Sequence, residues 1–182
     1  GGPGPMTPPR RTGVAGDAAA TYALGRRLGA AAAAGQVIAL RGDLGAGKTT
    51  LTQGLAAGLG ITGRVTSPTF TLVNEYAPGS RRLRLIHIDL YRLDDTPAAA
   101  AREAATFGLE DILAAAVWPD ADALGSVVVI EWAAKVAALL PPDHLDVYLE
   151  TPPSAPATRS YTLTAHGPQS AALLLAARAE QP

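Results

Sequence analysis

The glycine-rich segment between residues 42 and 49, with the sequence Gly-Asp-Leu-Gly-Ala-Gly-Lys-Thr, constrains the fold more than any other part of the chain. It fits the phosphate-binding loop pattern G-x-x-x-x-G-K-[ST]. The apolar residues 36–41 before it predict a buried strand, and residues 50–59 after it predict a helix. Because a strand, a glycine loop and a helix start are the context in which this pattern binds phosphate, we disfavour an ordinary glycine-rich turn.

The residues of this loop have separate expected roles. The glycines let backbone N–H groups approach an anion, and the helix N-terminus adds roughly half a positive charge. In such loops the lysine, here Lys48, reaches the β- and γ-phosphates, and the hydroxyl, here Thr49, binds Mg²⁺. We therefore expect a nucleoside triphosphate, with Mg²⁺, to bind here.

Composition narrows the class of protein further. The chain has 182 residues, a formal net charge of −1 and no cysteine. This length suits one domain, and the charge gives no global basic field for nucleic acid. The absence of cysteine excludes disulfides, thiol catalysis and cysteine metal sites. No apolar run reaches membrane-spanning length and no secretory signal is evident, so we expect a cytoplasmic protein.

Periodicity and turn residues predict the remaining elements. We expect residues 1–15 to be disordered, with residues 1–5 an appended remnant, and residues 16–182 to form one domain. The predicted helices span 18–34 (capped by Asp17), 97–106, 108–116, 133–140 and 170–179 (capped by Ser170). The predicted strands span 69–76, 83–89, 126–131, 144–150 and 159–165, the last two forming an antiparallel hairpin. This order predicts an α/β P-loop nucleotide-binding fold, with a parallel central sheet, added antiparallel strands and helices on both faces.

Two acidic residues end predicted strands. Asp89 follows Leu-Ile-His-Ile, and Glu131 follows the more apolar Val-Val-Val-Ile. Either side chain could lie at the carboxyl edge of a parallel sheet beside the glycine loop. One could bind the metal while the other orients or deprotonates water, and the residues alone do not assign the two roles.

Several other features allow both a functional and a structural interpretation. The hydroxyl-rich loop at 66–71 could sense a γ-phosphate as a switch loop does, or be an ordinary turn. We expect His87 to be packed or hydrogen-bonded rather than catalytic. The histidines at 87, 144 and 166 are too scattered in sequence to indicate a metal cluster.

The arginines at 81, 82 and 84 could be a solvated strand edge or contact RNA or an acidic partner.

The class of nucleotide enzyme is narrowed by missing motifs. Asn74 is the only asparagine and is followed by Glu75, so the N-K-x-D base-reading motif of GTPases is absent. A stand-alone small-molecule kinase would need an arginine-bearing lid. No such lid stands out, although residues 94–125 are long enough to form one, and a kinase remains the alternative.

Together, five segments resemble the TsaE family of bacterial ATPases in tRNA threonylcarbamoyladenosine biosynthesis. They are residues 42–50, 67–71 (Ser-Pro-Thr-Phe-Thr), 87–93 (His-Ile-Asp-Leu-Tyr-Arg-Leu), 108–111 (Gly-Leu-Glu-Asp) and 130–132 (Ile-Glu-Trp). The resemblance covers about residues 17–178. Two stretches depart from the pattern: 97–105, where alanines replace an acidic helix start, and 115–126, which looks like an insertion.

The resemblance implies a small P-loop domain that binds ATP with Mg²⁺ and hydrolyses it weakly alone. It implies that the chain works with the TsaB–TsaD pair, which transfers threonylcarbamoyl to adenosine 37 of tRNAs reading A-starting codons, and reaches tRNA only through that pair. It also implies site roles. Thr49 and Glu131 serve the metal, Asp89 supports hydrolysis, and Thr21 and Trp132 lie near the nucleotide. The phosphates are held by Gly45, Ala46, Gly47, Lys48, Thr49 and Thr50.

Overall fold

The computed structural model describes residues 7–43, 45–66, 72–121 and 123–178. The strands in this part of the chain are β1 Arg10–Ala15, β2 Val37–Arg41, β3 Val73–Tyr76, β4 Arg84–Asp89, β5 Ser126–Glu131, β6 Leu145–Glu150 and β7 Arg159–Ala165. The helices are α1 Ala18–Ala31, α2 Lys48–Gly58, α3 Pro97–Thr106, α4 Leu109–Val117 and α5 Pro168–Ala176, with a 3₁₀ helix over Ala133–Leu139.

These strands form one sheet in the order β1-β7-β6-β2-β5-β4-β3. The central strands β6, β2, β5 and β4 run parallel to one another. Antiparallel strands extend both sides, with β3 beside β4 and the β7–β1 pair beside β6. The predicted α/β class, with its parallel centre, antiparallel additions and hairpin between the last two strands, is therefore confirmed.

Helices cover both faces of the central sheet, as predicted. One core lies between the sheet and α1, α2 and α5, and contains Leu28, Ile38 and Leu55. The other lies between the sheet and α3, α4 and the 3₁₀ helix, and contains Leu113 and Ile130. All six residues of β5 are buried, because this strand is covered on both faces.

Helices α1 and α2 approach each other closely through glycines. A Cβ atom added at Gly25 would lie 2.0 Å from the carbonyl oxygen of Leu51, and one added at Gly54 would lie 2.0 Å from that of Tyr22. Since α2 begins at the glycine loop, this packing places the first turn of α1 next to that loop. The Thr21 methyl group lies 3.4 Å from the position of a Cβ at Gly47.

The predicted disorder of residues 1–15 is wrong over β1. Arg10–Ala15 pairs with β7 along its whole length, and the carbonyl of Pro9 accepts a hydrogen bond from Ala165 N. The proline- and glycine-rich composition suggested disorder, but the open edge of β7 supplies backbone partners from more than 140 residues away. Residues 1–6 lie outside the described part of the chain.

Two helix ends also differ from prediction for identifiable reasons. α1 ends at Ala31 rather than Ala34, where the Arg81 guanidinium donates to the carbonyls of Gly29 and Ala32 at 2.7 and 2.8 Å. α5 begins at Pro168, with Gly167 as its N-cap, whereas Ser170 lies inside the first turn. The predicted N-cap at Asp17 is confirmed, because its Oδ1 accepts from Ala20 N at 2.8 Å.

Candidate nucleotide-binding site

The glycine loop connects the carboxyl end of β2 to the first residue of α2, which is Lys48. Gly42 and Gly47 have φ angles of 144° and 94°, which side-chain-bearing residues rarely adopt. A Cβ atom at Gly42 would also lie 2.5 Å from the carbonyl oxygen of Leu149. The glycines of the pattern are therefore required by the backbone path; Leu44 lies outside the described residues.

Arg159, the first residue of β7, donates hydrogen bonds to two carbonyls of the glycine loop. Its Nε donates to the carbonyl of Ala46 at 2.9 Å, and its Nη2 donates to that of Gly45 at 3.0 Å. In a trans peptide the N–H points opposite to the C=O, so the bond to Ala46 directs the N–H of Gly47 away from Arg159. Sequence reasoning missed this residue, because it lies more than 110 positions from the loop and belongs to no motif used there.

Lys48 is the buried cation of the site. Its side chain is 6% exposed, and its Nζ donates to the carbonyl of Gly42 at 2.8 Å. The same Nζ lies 3.8 Å from the centre of the Trp132 ring, within cation–π range. Burial lowers the pKa of Lys48, whereas the negative charges of Glu131, Asp89 and Asp43 act in the opposite direction. The ammonium therefore lies in the field of three carboxylates.

The two strand-end acids lie side by side beside this lysine. Asp89 and Glu131 are paired in the register of β4 and β5, and Glu131 is also paired with Leu40 at the end of β2. Their exposed fractions are 6% and 3%. The structure thus brings both carboxylates to the sheet edge where the loop begins, as the sequence predicts.

Different hydrogen bonds hold the two carboxylates. Oε2 of Glu131 lies 2.6 Å from Nε2 of His87, which is fully buried on β4. Oδ1 of Asp89 accepts from the backbone N–H of Tyr91 at 2.9 Å, which fixes the turn that follows the strand. The prediction that His87 is packed or hydrogen-bonded is confirmed, since the residue is both buried and hydrogen-bonded. Its partner is an acid of the site, which the sequence alone did not indicate.

Aromatic residues and Lys135 form one wall of the site. The rings of Trp132 and Tyr91 lie 5.3 Å apart, and Trp132 has a φ angle of 61° directly after β5. Nζ of Lys135 donates to the carbonyls of Tyr91 and Leu93 at 2.7 and 2.6 Å. These bonds fasten the loop after β4 to the segment after β5, and so keep Trp132 over Lys48.

The remaining predicted residues lie in or next to the loop. Thr21 is buried on α1 against Gly47, while Thr49 and Thr50 are in the first turn of α2, where N–H groups lack intrahelical acceptors. The side chain of Thr49 is exposed. The predicted switch loop falls mostly outside the described residues, since 67–71 are not described. Arg81 donates to two carbonyls at the carboxyl end of α1, so its guanidinium is not a free surface cation.

A sheet whose parallel central strands carry this loop, lysine and acid pair at their carboxyl ends defines a P-loop nucleotide-binding protein. The sequence also matches the profile of the family described as threonylcarbamoyl adenosine biosynthesis protein TsaE, over residues 15–160. The chain belongs to the TsaE family, which takes part in tRNA threonylcarbamoyladenosine biosynthesis.

Individual relatives extend this match. The chain is similar to the tRNA threonylcarbamoyladenosine biosynthesis protein TsaE of a Nostoc species, with 45% identity over 66% of each chain, just under two thirds of that relative's length. It is similar to TsaE of Bacillus subtilis, with 37% identity over 81% of this chain and 80% of the relative. The crystal structure of Bacillus subtilis YdiB superposes with a TM-score of 0.73 at 30% identity, covering 95% of this chain and 97% of that one. Among the described residues, no helix is long and apolar enough to cross a membrane.

Proposed function

We propose that this chain is an ATP-binding, weakly hydrolysing ATPase that acts with TsaB and TsaD. In this proposal it is required for forming the threonylcarbamoyl group on adenosine 37 of tRNAs that read A-starting codons. The observation that supports it best is the convergence of Lys48, Asp89 and Glu131 at one sheet edge beside the glycine loop. We further propose that β1 and residues 16–182 form one ATPase domain that works in the cytoplasm.

The donor atoms available in the site fit Mg²⁺. Carboxylate and hydroxyl oxygens are the ligands that Mg²⁺ prefers, and the acids and the exposed Thr49 hydroxyl offer them beside the loop. We assign Thr49 and Glu131 to the metal, which when bound neutralises charge on the phosphate oxygens. His87 orients the Glu131 carboxylate through the 2.6 Å hydrogen bond.

The other side chains have complementary roles in this proposal. Lys48 leaves the Gly42 carbonyl to contact the β- and γ-phosphates, while the N–H groups from Gly45 to Thr50 surround them. Asp89 orients the attacking water. The hydrogen bond from the Tyr91 backbone N–H holds the Asp89 carboxylate at the end of β4, where Asp89 is paired with Glu131 of β5.

The packing of α3 and α4, which lie within residues 94–125, supports an ATPase over a small-molecule kinase. In a kinase this stretch would be the candidate lid. Here α3 and α4 instead bury Ala100, Leu109 and Leu113 in the core against the central sheet. A segment packed in this way cannot close over a second substrate without exposing that apolar surface.

The engagement of Arg159, an arginine that contacts the loop, supports dependence on a partner. Arg159 donates to the carbonyls of Gly45, Ala46, Pro156 and Thr158, so its guanidinium is committed to the backbone. An absent cation at the transition state costs about 10³–10⁵ in rate in P-loop enzymes. A partner could supply that cation, or press the 66–71 loop into a closed form.

Steady-state phosphate release at saturating ATP tests this function, with and without the purified TsaB–TsaD pair. We expect slow turnover alone and a large increase with the pair. Turnover of several per second alone, unchanged by the pair, would contradict the partner-activated function. Calorimetric titration of Lys48→Ala tests the loop separately, and unchanged ATP affinity in folded protein would exclude the assigned phosphate site.

A further inference from the structure

A second group of metal-ligating side chains lies outside the nucleotide site. His144 precedes β6, Asp146 lies on β6, and His166 follows β7. Because β6 and β7 form an antiparallel hairpin, the start of one strand meets the end of the other, and His166 N donates to the carbonyl of His144 at 3.0 Å. The expectation that the histidines are too scattered for a cluster is therefore wrong for this pair.

The two imidazoles converge on the carboxylate of Asp146. Nε2 of His166 lies 2.8 Å from Oδ2 of Asp146, and Nε2 of His144 lies 3.8 Å from Oδ1. One potential ligand atom from each residue lies within 4.8 Å of the other two. Three ligands at about 2.1 Å in a tetrahedral site lie about 3.4 Å apart, which is within the 4.8 Å limit that encloses the three potential ligand atoms.

The orientation of His144 leaves its outward nitrogen available. Its Nδ1 lies 2.8 Å from the carbonyl oxygen of Pro141. A carbonyl can only accept a hydrogen bond, so Nδ1 of His144 carries a proton, and in the neutral imidazole Nε2 presents a lone pair towards Asp146. Nε2 of His166 donates to the Asp146 carboxylate, so a metal binds through this nitrogen only after the proton has moved to Nδ1 or been lost. An imidazole held by a backbone carbonyl through its second nitrogen is the usual arrangement of a metal-bound histidine.

The Arg41 guanidinium could compete with a metal ion for the Asp146 carboxylate. Nε of Arg41 lies 3.8 Å from Oδ1 of Asp146, and its guanidinium also lies 5.3 Å from the centre of the Tyr148 ring. The Arg41 side chain is 47% exposed, so its ion pair with Asp146 is weak in water. Arg41 can remain on the Tyr148 ring while the carboxylate turns to a metal.

We propose that His144, Asp146 and His166 bind a first-row transition-metal ion such as Zn²⁺, with water completing the coordination. Two imidazoles and one carboxylate form a ligand set that suits Zn²⁺, whereas Mg²⁺ prefers oxygen ligands alone. The site is therefore distinct in chemistry, as well as in position, from the Mg²⁺ site proposed at Thr49 and Glu131. The ion would cross-link the base of β6 to the end of β7.

Few other side chains of this chain could bind Zn²⁺ through nitrogen or sulfur, which simplifies a test. The chain has three histidines and no cysteine, and the third histidine, His87, is fully buried against Glu131. The untagged chain is titrated with Zn²⁺ by calorimetry in the presence of excess Mg²⁺ and without nucleotide, because the phosphates of ADP would themselves bind Zn²⁺. We expect one equivalent of Zn²⁺ to bind and to raise the melting temperature.

Matched variants then decide the location. His166→Gln and His144→Gln should each weaken Zn²⁺ binding at least tenfold. Tenfold is the smallest loss of affinity typical when a residue that only supports a metal ligand is replaced, and removal of a ligand should cost at least as much. Asp120→Asn, which removes an exposed acid elsewhere, should leave Zn²⁺ binding unchanged. Zn²⁺ binding that survives both histidine changes in folded protein, or no binding by the unaltered chain, would overturn the proposal. X-ray absorption of the Zn²⁺ complex should show two imidazole ligands.

Discussion

Replacing Arg159 tests whether a residue outside the glycine loop determines how well the loop binds phosphate. In the structure its guanidinium donates to two loop carbonyls, at Gly45 and Ala46, and so sets the orientation of the N–H groups beside them. Two further bonds, to Pro156 and Thr158, fix the side chain itself. Arg159→Ala removes all four bonds, while the buried apolar residues of β7 remain.

The expected loss can be worked from these contacts. A net hydrogen bond of a half-exposed donor contributes about 1 kcal/mol, so the two loop bonds together contribute about 2 kcal/mol to the binding-competent loop. This difference corresponds to about a thirtyfold weaker Kd for ATP. Arg159→Lys keeps the charge but cannot span both carbonyls with a planar fork, so its loss should be intermediate.

Isothermal titration with ATP and Mg²⁺ measures the effect, with far-UV circular dichroism to establish that each variant is folded. Arg102→Ala, an exposed arginine on α3, is the matched control and should bind ATP as the unaltered chain does. An unchanged Kd for Arg159→Ala would refute the role of these bonds. A loss far beyond a hundredfold would show that the guanidinium acts directly on the nucleotide and not through the loop.

Four further substitutions test other parts of the structure. Asp89→Ala and Glu131→Ala should both abolish most hydrolysis, but only Glu131→Ala should raise the Mg²⁺ concentration needed for nucleotide binding; the reverse pattern in Mg²⁺ titrations would exchange their roles. Gly25→Ala gains about 1 kcal/mol in helix propensity, but its Cβ would lie 2.0 Å from a backbone oxygen, and overpacking costs about 1–3 kcal/mol. Urea unfolding should therefore show a net loss of up to about 2 kcal/mol, against none for Gly16→Ala, where nothing lies within 4 Å. Burial raises the pKa of Asp143, but hydrogen bonds from the side chain and backbone of Ser170 and from Gln169 outweigh it and hold that pKa below 3.8. The stabilising effect of this carboxylate is therefore present above its pKa in the unfolded chain and is lost as the pH falls through its pKa in the folded protein. Asp143→Ala should lower the free energy of unfolding by about 2 kcal/mol at pH 6 and by clearly less near pH 2. An equal loss of stability at both pH values would contradict this.

Much of the candidate site could be predicted because its determinants are local. The glycine loop, its preceding strand and its following helix are contiguous, and their backbone conformations depend on the residues at those positions. The acids Asp89 and Glu131 were also found, since each ends an apolar run and the carboxyl ends of parallel strands share an edge. The strand limits at 126–131 and 159–165 were predicted correctly for the same reason, as alternation and apolar runs are local signals.

Only the tertiary structure decided which side chains meet across strands. β1 forms because the edge of β7 offers hydrogen-bond partners, Arg159 reaches the loop through the order of the sheet, and His87 meets Glu131 through the register of β4 and β5. The pairing of His144 with His166 likewise follows from the hairpin. Periodicity along a chain specifies which face a residue occupies, whereas its neighbours on that face depend on strand order and register. Those are set by burying the whole core at once, and so no single segment of the sequence contains them.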